Sequence, residues 1–205
     1  MLLLKALLAA ALLVSGMTAA TAQLSLEGGF AIQLKNPRNW RVMTAEDMQY
    51  NLKRFEGSAF YQQQASATFR PVAAVALMKH SEPFADINPC FVLSVIDGSS
   101  LPSRDPFDIL NSLLGISKAH YPSQKFVEGP KAASVAGLPA AYARINVDVA
   151  AEGKTYKTTS LIWVATIGSR VIMTGGSARQ DQKTGKWSEI RELVNGVSLS
   201  KQTAQ

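Results

Sequence analysis

The chain has one cysteine, Cys90, and two histidines, His80 and His120, among its 205 residues. A lone cysteine rules out a framework of internal disulfides, so an apolar core must hold the fold. Two histidines leave few ways to assemble a Ser-His-Asp or Cys-His arrangement, each of which needs an imidazole base. The G-x-S-x-G elbow of the α/β hydrolases is missing as well. Aromatic residues make up 8% of the chain and are nowhere interleaved with cations as a stacking platform, which argues against a nucleic-acid groove. Lys53 and Arg54 sit beside Glu46, Asp47 and Glu56 and read as part of a solvated face.

No apolar run is long enough to span a bilayer, which takes roughly 20 residues. The longest near the N-terminus, Ala6 to Val14, follows the single cation Lys5 and precedes small and polar residues ending Ala20-Thr21-Ala22. That pattern predicts a secretory signal peptide over residues 1–22, cleaved before Gln23. No cysteine lies near the cleavage point to carry a lipid, so the mature chain is expected free of a membrane anchor, in a periplasm or secreted. The absence of an N-x-S/T sequon agrees with a bacterial periplasm. Residues 23–205 suit a single domain. The net charge of +6 is modest and scattered, and would support at most weak attraction to anionic envelope surfaces.

Periodicity supplies the elements. Phe30, Ile32 and Leu34 alternate with Ala31 and Gln33 as a half-buried strand, ended by "KNPRNW". "TAED" at 44–47 starts a helix, with Thr44 as cap and Met48, Leu52 and Phe55 forming one stripe. Val72–Met78 and Cys90–Ile96 are nearly continuous apolar runs, expected as central strands covered on both faces. Cys90 reads as a buried small hydrophobe in such a strand, the alternatives being a reactive thiol or a disulfide between chains. Asp105 and Pro106 open a helix that presents Ile109, Leu110, Leu113 and Leu114 to the core.

Three strands follow at about 139–150, 155–166 and 170–175, turning at Glu152-Gly153-Lys154 and Ile167-Gly168-Ser169. In the first, Tyr142, Arg144, Asn146 and Asp148 alternate with apolar residues, giving one polar and one apolar face. A last helix is expected around 187–197, with Ile190, Leu193, Val194 and Val197 on its inner face and a frayed "SKQTAQ" beyond. Strands grouped with helices between and after them predict an α+β layer fold with a largely antiparallel sheet.

Chemistry is harder to find. Gly153-Lys154-Thr155 would close a phosphate-binding loop only with a glycine at position 148, which is Asp148, and with a helix following. It joins two strands and is read as a hairpin with a cationic tip. His80, Glu82 and Asp86 share one loop, with Asp105 and Asp108 in another, and form the candidate metal set; their spacing matches no site signature. His120, at a helix C-terminus, is a cation favoured by the dipole. Trp40, Arg41, Phe60 and Tyr61 are candidates to line a ligand or partner surface, with Trp163 read as core. No cofactor is implied.

The order of "FAIQLKNPRNWRV", "RDPFDILNSLLG", "VAGLPAAYARINV" and "RVIMTGGSARQDQ" resembles the Mog1/PsbP-like superfamily over nearly all of the mature chain. That group includes photosystem accessory subunits, a Ran-binding protein and exported bacterial proteins. The resemblance implies a three-layer α/β/α sandwich around a central antiparallel sheet of about six strands, and a non-catalytic role. It transfers no functional residue, because Pro37, Trp40, Gly137 and Pro139 are turn and packing positions.

Three functions follow in order. The first is an exported, non-catalytic accessory protein that binds a protein or other macromolecule of the cell envelope. The second is a carrier or sensor of a small apolar or anionic ligand held near Trp40, Arg41, Phe60 and Tyr61. The third is a metal-dependent hydrolase using His80, Glu82 and Asp86.

Overall fold

The computed structural model describes residues 21–26, 30–35, 39–54 and 71–201. The expectations for Pro37, Phe55, Glu56, Phe60, Tyr61 and residues 1–20 and 202–205 fall outside the described residues. The helix start read at Asp105 is built as its sequence requires. Asp105 accepts a hydrogen bond from the Phe107 amide at 2.7 Å, and Pro106 opens the helix Pro106–His120. Ile109, Leu110, Leu113 and Leu114 are buried along one side. The helix Ala45–Arg54 begins with a capping box, in which Asp47 N–H donates to Thr44 Oγ1 and Thr44 N–H donates to Asp47 Oδ2. Trp187–Asn195 is the third helix among the described residues, closed by Gly196. In chain order these are α1, α2 and α3.

The strands are β1 (Thr21–Leu26), β2 (Phe30–Lys35), β3 (Arg41–Val42), β4 (Pro71–Met78), β5 (Cys90–Asp97), β6 (Lys125–Val135), β7 (Leu138–Ala151), β8 (Lys154–Ile167), β9 (Arg170–Arg179) and β10 (Val197–Lys201). Seven of them form one sheet in the order β3-β4-β5-β9-β8-β7-β6, and β1-β2-β10 form a second. All pairings are antiparallel. The α+β class is thus as expected, with a larger central sheet than the six strands implied by resemblance.

Met43 and Met48 of the α1 region and the apolar side of α2 cover one face of the large sheet. The other face carries Ile190, Leu193 and Val194 of α3 together with Leu24, Ile32, Leu34 and Val197 of the small sheet. One outer layer is therefore helical, and the other is part helix and part sheet. The central strands β5 and β9 are buried along nearly their whole length, as continuous apolar runs require. Gly175 lets β8 approach β9, because a Cβ there would run into the Leu161 carbonyl.

Four strands, β1, β3, β6 and β10, differ from expectation, and β10 takes Ser200 and Lys201 out of the tail expected to fray. Val197 is buried as predicted, but as the first residue of β10 and not in the last helical turn. Gly196 ends α3, and Val197–Lys201 pairs with Leu34–Phe30. β6 was not foreseen at all. β1 pairs along its whole length, Thr21–Leu26 against Lys35–Phe30, so the strand straddles the expected cleavage point, with Leu24 and Leu26 beyond it buried. Among the described residues no helix is long and apolar enough to cross a membrane.

Candidate functional site

The residues singled out by sequence separate into structural and exposed roles. The Gly153 turn is a two-residue hairpin with Glu152 at φ 51° and Gly153 at φ 70°, the geometry of a type I′ turn, and it carries no helix for a phosphate. Arg41 donates through Nη1 and Nη2 to the Asp47 carboxylate at 3.1 and 2.6 Å, clamping the start of α1. Arg54, expected on a solvated face, has a side chain only 2% exposed, ion-paired with Glu152 at 3.2 Å. Its Nη1 donates to the Phe84 and Asp86 carbonyls.

The metal candidates do not converge. His80 stacks on Phe84 with ring centroids 4.4 Å apart, and its Nε2 lies 2.9 Å from the Thr184 carbonyl. Glu82 accepts from the Phe84 amide and from the side chains of Asn51 and Asn88. Asp86 pairs with Arg179 at 2.9 Å. Asp108 accepts from Ser103 Oγ, and Asp105 is spent on its cap. Among the described residues no three His, Cys, Asp or Glu side chains are grouped to hold a metal. Cys90 is buried with its sulfur 3.8 Å from the Ser177 carbonyl, and burial pushes its thiol up from the ordinary value.

Trp40 is 7% exposed and belongs to the core beneath α3. It also lines a cleft of about 300 Å³ with Lys35, Asn39, Glu189, Glu192, Leu193 and Gly196. Of the predicted surface, the described residues contain Trp40 and Arg41, and of these Trp40 lines the cleft.

On the other flank of α3 lies a cluster that the sequence did not announce. β6 carries irregularities between Phe126 and Glu128 and between Glu128 and Lys131. Gly129, at φ 74°, makes the second possible, since a Cβ there would strike the Tyr142 carbonyl. The extra residues bring Glu128 opposite Arg144 and Lys131 opposite Tyr142. Trp163 stands opposite Tyr142 on β8, their rings 4.5 Å apart. Trp187 and Arg191, one helical turn apart on α3, close over them.

The Arg144 guanidinium lies 5.0 Å from the Trp187 ring centre. Arg191 lies 5.1 Å from that of Tyr142 and 5.9 Å from that of Trp163, and Lys131 Nζ is 5.5 Å from Tyr142. Each pair is a cation held against the electron-rich face of an aromatic ring. Glu128 binds all three cations, Arg144 at 3.1 Å, Lys131 at 3.1 Å and Arg191 at 3.6 Å. Burial works against ionisation of Glu128, but the hydrogen bond from Lys131 and the three charges outweigh it and hold its carboxyl below the usual range. Burial raises the Tyr142 phenol. Among the described residues the cluster has three cations to one carboxylate, and Arg144 Nε is buried without a hydrogen-bond partner there. What it offers is positive charge and planar donors, which suit recognition of an anion.

No protein-family model matches the chain, and no curated protein sequence is similar to it. Solved structures are. LpqN of Mycobacterium tuberculosis, described as involved in cell envelope biogenesis, has 13% identity over 90% of this chain and 92% of its own, with a TM-score of 0.50. Cyanobacterial PsbP from Synechocystis has 15% identity over 93% and 98%, with a TM-score of 0.42. The yeast Ran-binding protein Mog1p has 9% identity over 88% and 95%, with a TM-score of 0.45. At these identities the likeness is one of fold. The fold expected from the resemblance is shared with LpqN.

Proposed function

We propose that this chain is an exported, non-catalytic binding protein that acts on a macromolecular partner in the cell envelope. The observation that carries the proposal is the cation and aromatic cluster around Glu128, placed where α3 meets the outer strand of the large sheet. Its cations exceed its carboxylates, and two of them reach solvent, Lys131 with 57% and Arg191 with 40% of the side chain exposed. Export is supported by the leader-like residues 1–22. The envelope is supported by the fold shared with LpqN, a protein described as involved in envelope biogenesis. His80, Glu82, Asp86 and Cys90 take structural roles, which leaves the metal-dependent reading without its donor set.

The test is photocrosslinking in intact cells from a reactive residue placed at Lys131, with Lys118 on α2 as the control position. A discrete adduct from position 131 that is absent from position 118 is the expected result. Adducts of equal yield from both, or from neither, would count against the reading.

A second reading rests on the cleft beside Trp40, which would hold a small ligand rather than a macromolecule. Its volume stands at the lower end for ligand pockets, which run about 300–1,000 Å³. Quenching or a spectral shift of tryptophan emission on adding envelope lipid extract, lost in Leu193→Trp, would favour it. An unchanged spectrum would remove it.

A further inference from the structure

Resting on that reading, we propose that the partner is a protein presenting an acidic segment to the outer edge of the large sheet, and that Glu128 is an internal stand-in whose place the segment's carboxylates take. The cluster is assembled around a carboxylate supplied by this chain itself, which defines the chemistry it recognises. Arg144 gives Glu128 only one end of its planar fork, through Nη2, while its Nε finds no acceptor. A carboxylate approaching side-on can take Nε and Nη2 together, a better match than the contact Glu128 makes. Arg191 and Lys131, both partly in solvent, supply the remaining donors.

The same edge says why the partner is a protein. Val127, the extra residue of the irregularity just before Glu128, is 41% exposed. An apolar side chain beside a focused group of cations suits an interface in which an apolar contact is flanked by charge pairs. A polyanion that binds by charge alone would gain nothing from Val127. Strand addition is disfavoured, because the irregular register and Pro130 interrupt the row of edge donors. The segment is therefore held by side chains. The local excess of cations around Glu128, with Lys131 and Arg191 partly in solvent, would steer an acidic segment toward this edge.

The consequence is that Glu128 competes with the partner, so its removal strengthens binding. The probe is a fluorescein-labelled peptide of alternating aspartate and glutamate with one central phenylalanine, titrated with the full chain by fluorescence anisotropy. Glu128→Gln is expected to bind about tenfold more tightly than the native chain, and Arg191→Gln about tenfold more weakly. Arg191→Lys should fall between, since it keeps the charge and loses the fork. Val127→Ser should weaken binding of this peptide but not of one lacking the phenylalanine. Circular dichroism melts of each variant establish that it folds.

Unchanged or weaker binding by folded Glu128→Gln would overturn the proposal. So would heparin or phosphatidylglycerol vesicles displacing the peptide and showing the same response to Val127→Ser. If crosslinking in cells captures a partner through another surface while the peptide is ignored, this inference falls and the broader function stands. Peptide binding with the predicted Glu128→Gln gain upholds the inference even where no cellular partner is captured.

Discussion

Arg191 donates a hydrogen bond to the Tyr142 hydroxyl across 2.7 Å while lying over the ring of the same residue. The phenol joins the core of the large sheet to α3, since Tyr142 is only 2% exposed and Arg191 reaches outward. Tyr142→Phe keeps the ring and removes only the hydroxyl. Because Arg191 can turn to water, the expected loss is about 1 kcal/mol by urea denaturation. A loss several times larger would mean that the bond orders more than these two residues.

Asp47 carries more. Its carboxylate binds Arg41, receives the Thr44 amide and hydroxyl, and is nearly buried. Asp47→Ala removes a cap and a charge-assisted pair together, and is expected to cost about 2–3 kcal/mol. Thr44→Ala removes only half of the capping box and should cost about 1 kcal/mol. Chemical denaturation of both variants tests the ordering, which is the firmer part of the prediction.

The Cys90 thiol is buried in β5, where burial keeps it protonated. A thiol reagent such as dithionitrobenzoate should therefore leave the native protein unlabelled at pH 8 and react fully in guanidinium. Cys90→Ser places a hydroxyl in the same apolar setting and should cost about 1–2 kcal/mol. Rapid labelling of the native protein would contradict the placement of β5.

Three carboxyls among the described residues are held below their ordinary range, and this fixes the sign of one pH effect. Asp97 is lowered chiefly by the hydrogen bond from the Ser99 amide. Glu128 is lowered because the cations around it outweigh the cost of burial. Asp181 is lowered chiefly by its hydrogen bonds from Arg179. A carboxyl with a depressed folded pKa stabilises the protein above its unfolded value, and the contribution is lost as pH falls through the folded value. The native protein should thus lose stability as pH drops below about 4. Glu128→Gln should show a shallower decline over the same interval in thermal melts, and identical slopes would show that the Glu128 cluster contributes nothing to folding.

What could be read in the sequence was local. The cap at Asp105, the hairpin at Glu152-Gly153 and the strands β4, β5, β7 and β8 each announced themselves through a few adjacent residues. β6 did not, because Gly129, Pro130 and two register irregularities erase its alternation and most of its side chains face water. β10 was hidden by polar residues and by a partner, β2, that lies at the opposite end of the described chain. The Glu128 cluster draws from β6, β7, β8 and α3, and only sheet register brings those together. One signal was present: the polar side of β7 set Tyr142 beside Arg144, a pairing that a purely solvated face does not need. Tyr142 is in fact enclosed, which the alternation alone could not reveal.

β2 is paired on both sides, by β1 just before it and by β10 after almost every other described residue has been placed. A sheet closed in this way cannot be completed while the chain is still emerging from a ribosome or a translocation pore. Its last strand arrives after the rest, so the first-made strands must wait with an open edge. The contact is of very high sequence separation, the kind that slows folding. For a protein read as exported, the small sheet can therefore be completed only after β10 itself has crossed.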